Sequence, residues 1–139
     1  MARVWCENPP DAGPAQGLYS HVGLVQGGTL AFIAGQLAVN ADGSIAGKGD
    51  FAAQFRQVFT NLGDVLRGLG TDYRSVIKFT TYLVHSQDIE PFMQQRRALF
   101  PEWFGAEPYP PNTLLIVDRL VKEEFLIEVE AIAAIERPA

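Results

Sequence analysis

The carboxylates of the segment EFLIEVEAIA are the residues whose setting best suits acid–base chemistry. Glu128 and Glu130 lie two positions apart in a stretch of alternating hydrophobicity, which predicts that they share one face of a strand with Leu126. A carboxylate held against an apolar side chain and a second carboxylate should have a raised pKa, which suits a general acid or base. A salt bridge across a subunit interface would explain the same pattern, and periodicity alone favours that explanation.

Two other segments carry polar residues where a loop meets a strand. Tyr19 lies in GLYS, and its hydroxyl could bind a ligand or simply satisfy the end of a strand. Asn112 and Thr113 follow the proline-rich loop PYPP and precede the apolar run LLIV. Both residue types are common at such a junction, so this segment does not by itself require a ligand.

The sequence contains little that would indicate a metal site, a catalytic nucleophile or a nucleotide-binding motif. His21 and His85 belong to no metal-ligand spacing, and Cys6 is the only cysteine. There is no G-x-S-x-G elbow and no P-loop. The stretch GKGDFA fits the loose dinucleotide pattern, but a turn precedes it where that motif needs a strand, so we interpret it as the approach to a helix. We therefore expect neither a metal nor a cofactor.

The first of two predicted helices has a long apolar stripe. Apolar residues recur at i, i+4, i+7 and i+8 from Phe51 to Leu69. Asp50 is placed to cap the start of this helix, and Gly70 is placed to end it.

The second predicted helix begins after Asp88. Its apolar side consists of Phe92, Met93, Leu99, Phe100 and Trp103. Pro101 lacks the backbone N–H that a helix interior needs, so we expect a kink or a helix end near Leu99.

Five strands are predicted around these helices. GLYSHVGLVQ and GGTLAFIAGQLAVN meet at two glycines and are expected to pair as an antiparallel hairpin. RSVIKFTTYLV, TLLIVDRL and EFLIEVEAIAAI supply the remaining strands. The order β-β-α-β-α-β-β predicts an α+β two-layer domain, in which two helices cover one face of a mixed, mostly antiparallel sheet. We assign residues 1–12 to an irregular N-terminal arm and residues 13–137 to a single domain.

The alternation in the last strand also predicts what the uncovered face of the sheet carries. One set of its side chains would face the helices: Phe125, Ile127, Val129 and Ala131. The other set would point away from them: Leu126, Glu128, Glu130 and Ile132. Apolar groups mixed with carboxylates suit a subunit interface better than open water, so we expect a homo-oligomer.

Composition narrows the class of protein. The chain has 139 residues and a net charge of −5, with no basic cluster, which disfavours nucleic acid as a partner. No apolar run approaches the ~20 residues of a membrane span, and no signal peptide is recognisable near the first residue. A single cysteine fits a reducing compartment. We expect a cytoplasmic protein that does not bind membranes.

The order of the elements and several motifs resemble the RidA family, also called the YjgF or L-PSP family. The resemblance covers roughly residues 13–135 and rests on GLYSHVGLVQGGTLAFIAGQL, FAAQFRQVFTNLGDVLRGLG, VIKFTTYL and RLVKEEFLIEVEAIA. It implies a chorismate-mutase-like subunit in a homotrimer, with clefts between subunits that take small-molecule ligands. It also implies hydrolysis of reactive 2-imino and enamine acids to 2-oxo acids and ammonia, without a metal or cofactor.

The resemblance also assigns roles to individual residues. Tyr19 matches the tyrosine of the family's G-P-Y-S, although Leu18 replaces the proline. Gly35 matches the glycine of S-G-Q, whose backbone lines the cleft, and Ala34 replaces the serine. Glu128 matches the glutamate that positions the attacking water, so the carboxylate singled out from its strand also occupies the catalytic position.

The main departure from the family lies at Asn112, which stands where the arginine of P-A-R-S holds the substrate carboxylate. An amide is neutral and has one donor group, whereas a guanidinium is charged and bidentate. Hydrogen bonds to charged groups are worth roughly 1.5–3 kcal/mol each, so the change could weaken binding of a 2-imino acid by several decades. Arg119 matches a different family arginine. Arg97 on the second helix is a candidate replacement, with a solvated helix face as the alternative.

Three functional hypotheses follow. The first is a divergent RidA-family hydrolase or deaminase for a small imine, enamine or amino-unsaturated acid such as 2-aminomuconate. In it Glu128 would activate water, Tyr19 would bind or close over the ligand, and Asn112 would hydrogen-bond a carbonyl or amide. The second is a non-catalytic, ligand-binding or regulatory trimer. The third, an endoribonuclease or translation inhibitor, is an older family label that the acidic composition does not support.

Overall fold

The computed structural model describes residues 2–137 and consists of six strands and two α-helices over that range. In chain order the elements are β1 (Arg3–Glu7), β2 (Val22–Gln26), β3 (Thr29–Gln36), α1 (Phe51–Gly68), β4 (Val76–Leu83), α2 (Ile89–Phe104), β5 (Asn112–Ile116) and β6 (Ile127–Ile135). Strands β3, β6, β4 and β5 form one sheet in that order, antiparallel except for the parallel β4–β5 pair. The predicted α+β two-layer architecture is confirmed.

The predicted pairing of β2 with β3 is wrong. β2 pairs antiparallel with β1, and β3 pairs with β6 at the far end of the chain. Gly27 and Gly28 both have positive φ values, 73° and 80°, and they separate the two strands without joining them as a hairpin. The flanking glycines were compatible with a hairpin, but burying both strands against other partners was more favourable.

The prediction of an irregular N-terminal arm also needs correction, because Arg3–Glu7 forms β1. Its centre contains Val4 and Trp5, which favour strands, and the Arg3 guanidinium lies 4.5 Å from the centroid of the Trp5 ring. The prolines at positions 9, 10 and 14 shape only the connection that follows. Met1, the first residue of the predicted arm, lies outside the described residues.

Helix α1 matches its prediction closely. The Asp50 carboxylate accepts a hydrogen bond of 3.1 Å from the Ala53 N–H, and Gly70 adopts the left-handed φ of 79° just beyond the helix. The stripe packs on the sheet and is buried at Phe51, Phe55, Val58, Phe59, Leu62 and Leu66.

Helix α2 continues through Pro101 to Phe104, so of the predicted kink or helix end near Leu99 the helix end is wrong. Proline in a helix interior costs about 3 kcal/mol, and the aromatic residues beyond it offset that cost by packing in the core. The Trp103 ring stacks 5.0 Å from Tyr73 and 5.1 Å from Phe59, measured between centroids.

The alternation predicted for β6 is confirmed. Phe125, Ile127, Val129 and Ala131 are buried towards the helices, whereas Leu126, Glu128, Glu130 and Ile132 are partly exposed on the other side. We call that other side of the four-stranded sheet the open face. No helix among residues 2–137 is long and apolar enough to cross a membrane.

Candidate functional site

The open face is built by strand register, since directly paired residues point to the same side of a sheet. Glu128 on β6 lies opposite Tyr82 on β4, and Glu130 lies opposite Thr80. The two carboxylates therefore sit side by side on the open face, as their spacing predicted.

Glu128 is seated against the backbone of β3. A β-bulge between Ile33 and Gln36 brings Gly35 next to it, so closely that a Cβ on Gly35 would lie 2.6 Å from the Glu128 Cδ and 2.8 Å from its Oε2. Only a glycine leaves room for the carboxylate in this position. Burial raises the pKa of Glu128, and the negative charge of Glu130 raises it further, which confirms the direction predicted from sequence.

Tyr82 is a neighbour of this carboxylate that sequence reasoning missed. Its hydroxyl donates a hydrogen bond to Glu130 Oε1, and that bond is the main cause of the raised pKa of Tyr82. The bond orients Glu130 beside Glu128. The signal in the sequence was the alternation of KFTTYL, which places Tyr82 on the open face, but its partner is visible only once the β4–β6 register is known.

A cleft of about 620 Å³ lies where β2 packs against the first residues of β4. Gly23 makes the approach possible, because a Cβ there would collide with the Ile77 carbonyl and lie 3.2 Å from Pro111 Cδ. The residues that line the cleft are Tyr19, Ser20, His21, Val22, Gly23, Ile77, Lys78, Pro111, Asn112, Thr113 and Ile132.

Tyr19 stands in this cleft on a loop that is held from both sides. Its phenolic oxygen accepts a 3.1 Å hydrogen bond from the Gln16 N–H, and its ring packs edge-on against His21. The next residue, Ser20, is buried and donates a 2.6 Å hydrogen bond to the Tyr109 carbonyl. The loop conformation therefore places Tyr19 in the lining of the cleft.

Arg96 anchors the other end of the same loop from α2. It is 1% exposed, donates a hydrogen bond to the Leu18 carbonyl, and has its guanidinium carbon 5.2 Å from the Phe92 ring centroid and 4.8 Å from that of Phe100. Burial lowers its pKa to about 10. The sequence indicates Arg97 and not Arg96 as a candidate, because a buried arginine cannot be told from an exposed one by residue type.

Asn112 lines the cleft, but its side chain is committed to the sheet. Its Oδ1 accepts a 2.8 Å hydrogen bond from the hydroxyl of Thr81, which is buried on the side that the helices cover. The parallel register agrees, because Asn112 lies opposite Phe79, a residue of the same buried side. The amide oxygen thus has a structural partner, and only the NH₂ group remains to donate to a ligand.

The structure does not bring Arg97 into the cleft. Arg97 lies on the exposed side of α2 and forms an ion pair of 3.0 Å with Glu90. Besides Arg96, the α2 side chain that lies against the Tyr19 loop is Met93, whose Cε would lie 3.3 Å from a Cβ on Gly17. The solvated helix face, the alternative considered for Arg97, describes its position in the single chain.

The predicted site residues therefore fall into two groups. Glu128 and Gly35 form one group on the open face, and Tyr19 and Asn112 form the other at the cleft. Three residue steps along the strands and two strand spacings separate the backbones of Glu128 and Asn112, a distance of about 14 Å. Residues 2–137 contain no group of three or more His, Cys, Asp or Glu side chains placed to hold a metal ion.

Comparison with known proteins agrees with this architecture. The sequence matches the family model described as Endoribonuclease L-PSP over residues 10–135. A RutC family protein of Pyrococcus horikoshii is 36% identical over 131 residues, which make up 94% of each chain. The 2-iminobutanoate/2-iminopropanoate deaminase of Bos taurus is 30% identical over 122 residues, 88% of this chain and 83% of that protein. The crystal structure of the Rid family protein YyfB from Yersinia pestis, of unknown function, matches with a TM-score of 0.82 and 33% identity, over 95% of this chain and 98% of that one.

Two helices on one face of a mixed, mostly antiparallel sheet form an α+β fold, and the chain shares this fold with the Rid-family structure. The chain belongs to the RidA family, also called the YjgF or L-PSP family, and the resemblance seen in its motifs is confirmed.

Proposed function

We propose that this chain is a divergent RidA-family hydrolytic deaminase that needs no metal or cofactor. Its substrate is a small imine or enamine acid, or an amino-unsaturated acid, other than the 2-iminobutyrate that the family commonly hydrolyses. The observation that carries the proposal is the Glu128 carboxylate, which is seated against Gly35 and has a pKa raised by burial and by Glu130. A partly desolvated carboxylate is a stronger base than one in water. Relatives named as 2-iminobutanoate deaminases support the reaction class.

The proposed chemistry uses Glu128 as the base for one water molecule. The water oxygen bonds to the imine carbon while Glu128 takes a proton from it, and Glu128 then gives this proton to the nitrogen. In the resulting carbinolamine the hydroxyl proton passes through Glu128 to the nitrogen as the C–N bond breaks, which releases ammonia, leaves a 2-oxo acid and returns Glu128 to its carboxylate form. Tyr19 binds or closes over the ligand, the Gly35 backbone lines the pocket, and the Asn112 NH₂ group donates to a carbonyl or amide.

The proposal includes a homotrimer in the cytoplasm, with the site between subunits. Two observations support the trimer. The backbones of Glu128 and Asn112 lie about 14 Å apart, which favours a site completed by a neighbouring subunit over one small acid that contacts both groups within a single chain. The open face also exposes large apolar side chains, namely 73% of Phe32, 47% of Leu30 and 45% of Leu115. In such an assembly Arg97 reaches a ligand only if it comes from a neighbouring subunit.

The oligomer is tested by light scattering. Wild-type protein should have the mass of three 15.3 kDa chains. Phe32→Asp should give folded monomers, because a charge at the centre of an apolar interface is not tolerated. Arg67→Asp changes an exposed residue of α1 and serves as the control that keeps the trimer. A wild-type monomer would remove the proposed site.

The reaction is tested by measuring ammonia release from freshly generated imino acids and from 2-aminomuconate. We expect slow turnover of 2-iminobutyrate, and Glu128→Gln should abolish whichever activity is found while leaving the thermal stability nearly unchanged. Asn112→Arg should increase activity on 2-iminobutyrate, since it restores a bidentate cation. Rapid wild-type hydrolysis of 2-iminobutyrate would refute the interpretation of position 112.

A non-catalytic, ligand-binding trimer is the second candidate. The observation that favours it is the Asn112 oxygen, which is turned towards Thr81 as a structural residue would be. Binding of an acid without turnover, unaffected by Glu128→Gln, would favour this candidate over the deaminase.

A further inference from the structure

Lys78 is the one lysine or arginine among the described residues that line the cleft. It lies on β4 opposite Ile132 and points to the open face, next to the Tyr19 loop and Thr113. Its near neighbours in the cleft include Val22, an apolar side chain. Lys78 is therefore the one side chain of the lysine, arginine or carboxylate type among the described residues that line this cavity.

No ion pair within residues 2–137 involves Lys78; the four that form join Arg67, Arg74, Arg97 and Arg119 to carboxylates. The acidic group nearest in register is Glu130, which lies opposite Thr80, two positions along the strand from Lys78. Glu130 already accepts a hydrogen bond from Tyr82. His21, which also lines the cleft, has its Nε2 in contact with the Gly13 carbonyl.

We propose that Lys78 supplies the positive charge that binds a ligand carboxylate in this cleft, which Tyr19 and Thr113 also line. This deepens the proposed function and rests on it, because it assumes that the ligand is a small acid. It also answers the question raised by the loss of arginine at position 112. The charge comes from the neighbouring strand, while Asn112 keeps its bond to Thr81.

The change of cation has a consequence for specificity. A guanidinium holds a carboxylate in one orientation through two parallel hydrogen bonds, whereas an ammonium is a point charge with freely rotating donors. The ligand carboxylate can therefore approach Lys78 from several directions. We expect the cleft to prefer acids over their amides but to accept acids of different length and branching.

The test uses 2-oxobutyrate, a stable 2-oxo acid of the product class, and its neutral amide, 2-oxobutyramide. Titration calorimetry compares wild type with Lys78→Met, which keeps the length and removes the charge, and with Lys78→Arg, which keeps a cation. Lys122→Met removes the same charge from an exposed turn away from the cleft and is the matched control. Circular dichroism and light scattering check that every variant keeps its fold and assembly.

Wild type should bind the acid at least 10-fold more tightly than the amide, since a charge-assisted hydrogen bond is worth roughly 1.5–3 kcal/mol. Lys78→Met should bind both probes equally, Lys78→Arg should keep most of the preference, and Lys122→Met should match wild type. Ammonia release from the imino acids should fall in Lys78→Met through a higher KM, with kcat nearly unchanged.

Three results would overturn the inference. If Lys78→Met keeps the preference for the acid, Lys78 is not the binding cation, although turnover that depends on Glu128 would still support the proposed deaminase. If Lys78→Met is folded but no longer assembles, the charge belongs to a subunit contact. If wild type binds neither probe, Lys78 does not hold the carboxylate of a small 2-oxo acid and the inference fails; the deaminase fails with it only if all turnover is absent as well.

Discussion

Gly35→Ala tests the seat of the Glu128 carboxylate with a single methyl group. The φ angle of Gly35 is not in the left-handed region, so alanine can adopt this backbone without strain. The new Cβ would start 2.6 Å from the Glu128 Cδ, and an ordinary contact needs 3.4 Å, so the carboxylate must move by about 0.8 Å. The carboxylate is the far end of a flexible side chain, which means that it can move while the strands stay in place.

The expected effect on stability is small, whereas the effect on catalysis is large. Turning Glu128 away from its preferred rotamer costs about 0.5–1.5 kcal/mol, and replacing glycine by alanine returns about 0.4–1 kcal/mol through the unfolded chain. The free energy of unfolding should therefore change by about 1 kcal/mol at most. A displacement near 1 Å of a catalytic group costs about 10²-fold in rate, so kcat/KM for imine hydrolysis should fall by roughly that factor.

The assay combines initial rates of ammonia release with an NMR titration of the Glu128 carboxyl carbon. Moving the carboxylate towards solvent should lower its pKa towards the ordinary value, and this readout does not depend on knowing the substrate. Gly68→Ala is the control, because nothing lies within 4 Å of a Cβ at that exposed helical position. A Gly35→Ala protein with wild-type rates and an unchanged Glu128 titration would refute the assignment of this pocket.

Three further predictions concern the carboxylates of the open face, the pH dependence of stability that Glu128 causes, and the hydrogen bond between Thr81 and Asn112. Glu130→Gln removes the like charge beside Glu128, so NMR titration should show a lower Glu128 pKa than in wild type, and Tyr82→Phe, which frees Glu130 to move, should change that pKa less. Folding raises the pKa of Glu128 above its ordinary value of 4.5, so between the ordinary and the raised pKa the folded state binds more protons than the unfolded state. The stability that this group contributes therefore falls as the pH rises from the ordinary pKa through the raised one. Denaturant unfolding at a series of pH values should show that slope in wild type and lose it in Glu128→Gln; an unchanged slope would contradict the prediction. Asn112→Ala leaves the buried Thr81 hydroxyl without its acceptor and should lower the free energy of unfolding by about 1–3 kcal/mol. Adding Thr81→Val to this variant should recover much of the loss, because the unpaired hydroxyl is then gone. If the effects of the two substitutions on the free energy of unfolding are strictly additive, the result would argue against the bond.

The parts of the fold that depend on local spacing were predictable from sequence. The stripe and the cap of α1 and the two faces of β6 follow from periods of 3.6 and 2, which are fixed by backbone geometry. The errors arose where distant segments compete. β2 pairs with β1 and not with β3, and α2 continues beyond Pro101 because Trp103 and Phe104 pack in the core. No local rule weighs such contacts against a turn or a proline.

The candidate site was predictable to a similar extent. Glu128 could be found from its strand alone, because its neighbours at even spacing share its face. Lys78 and Tyr82 could not, since an alternating strand on an uncovered face normally carries polar residues that do nothing but meet water. Their significance depends on the register that sets Tyr82 beside the carboxylates and on the packing of β2 and the Tyr19 loop, which makes Lys78 part of the lining of a cleft.

The chain has two tryptophans, and they lie in parts of the structure that can be followed separately. Trp103 is stacked in the aromatic core, and Trp5 lies on the β1–β2 pair beneath Arg3. Indole fluorescence therefore contains one signal from the core and one from the N-terminal strand pair. In a Trp5→Phe variant, emission would report on the core alone. Comparison with wild type would then reveal whether the strand pair detaches before the sheet and helices melt.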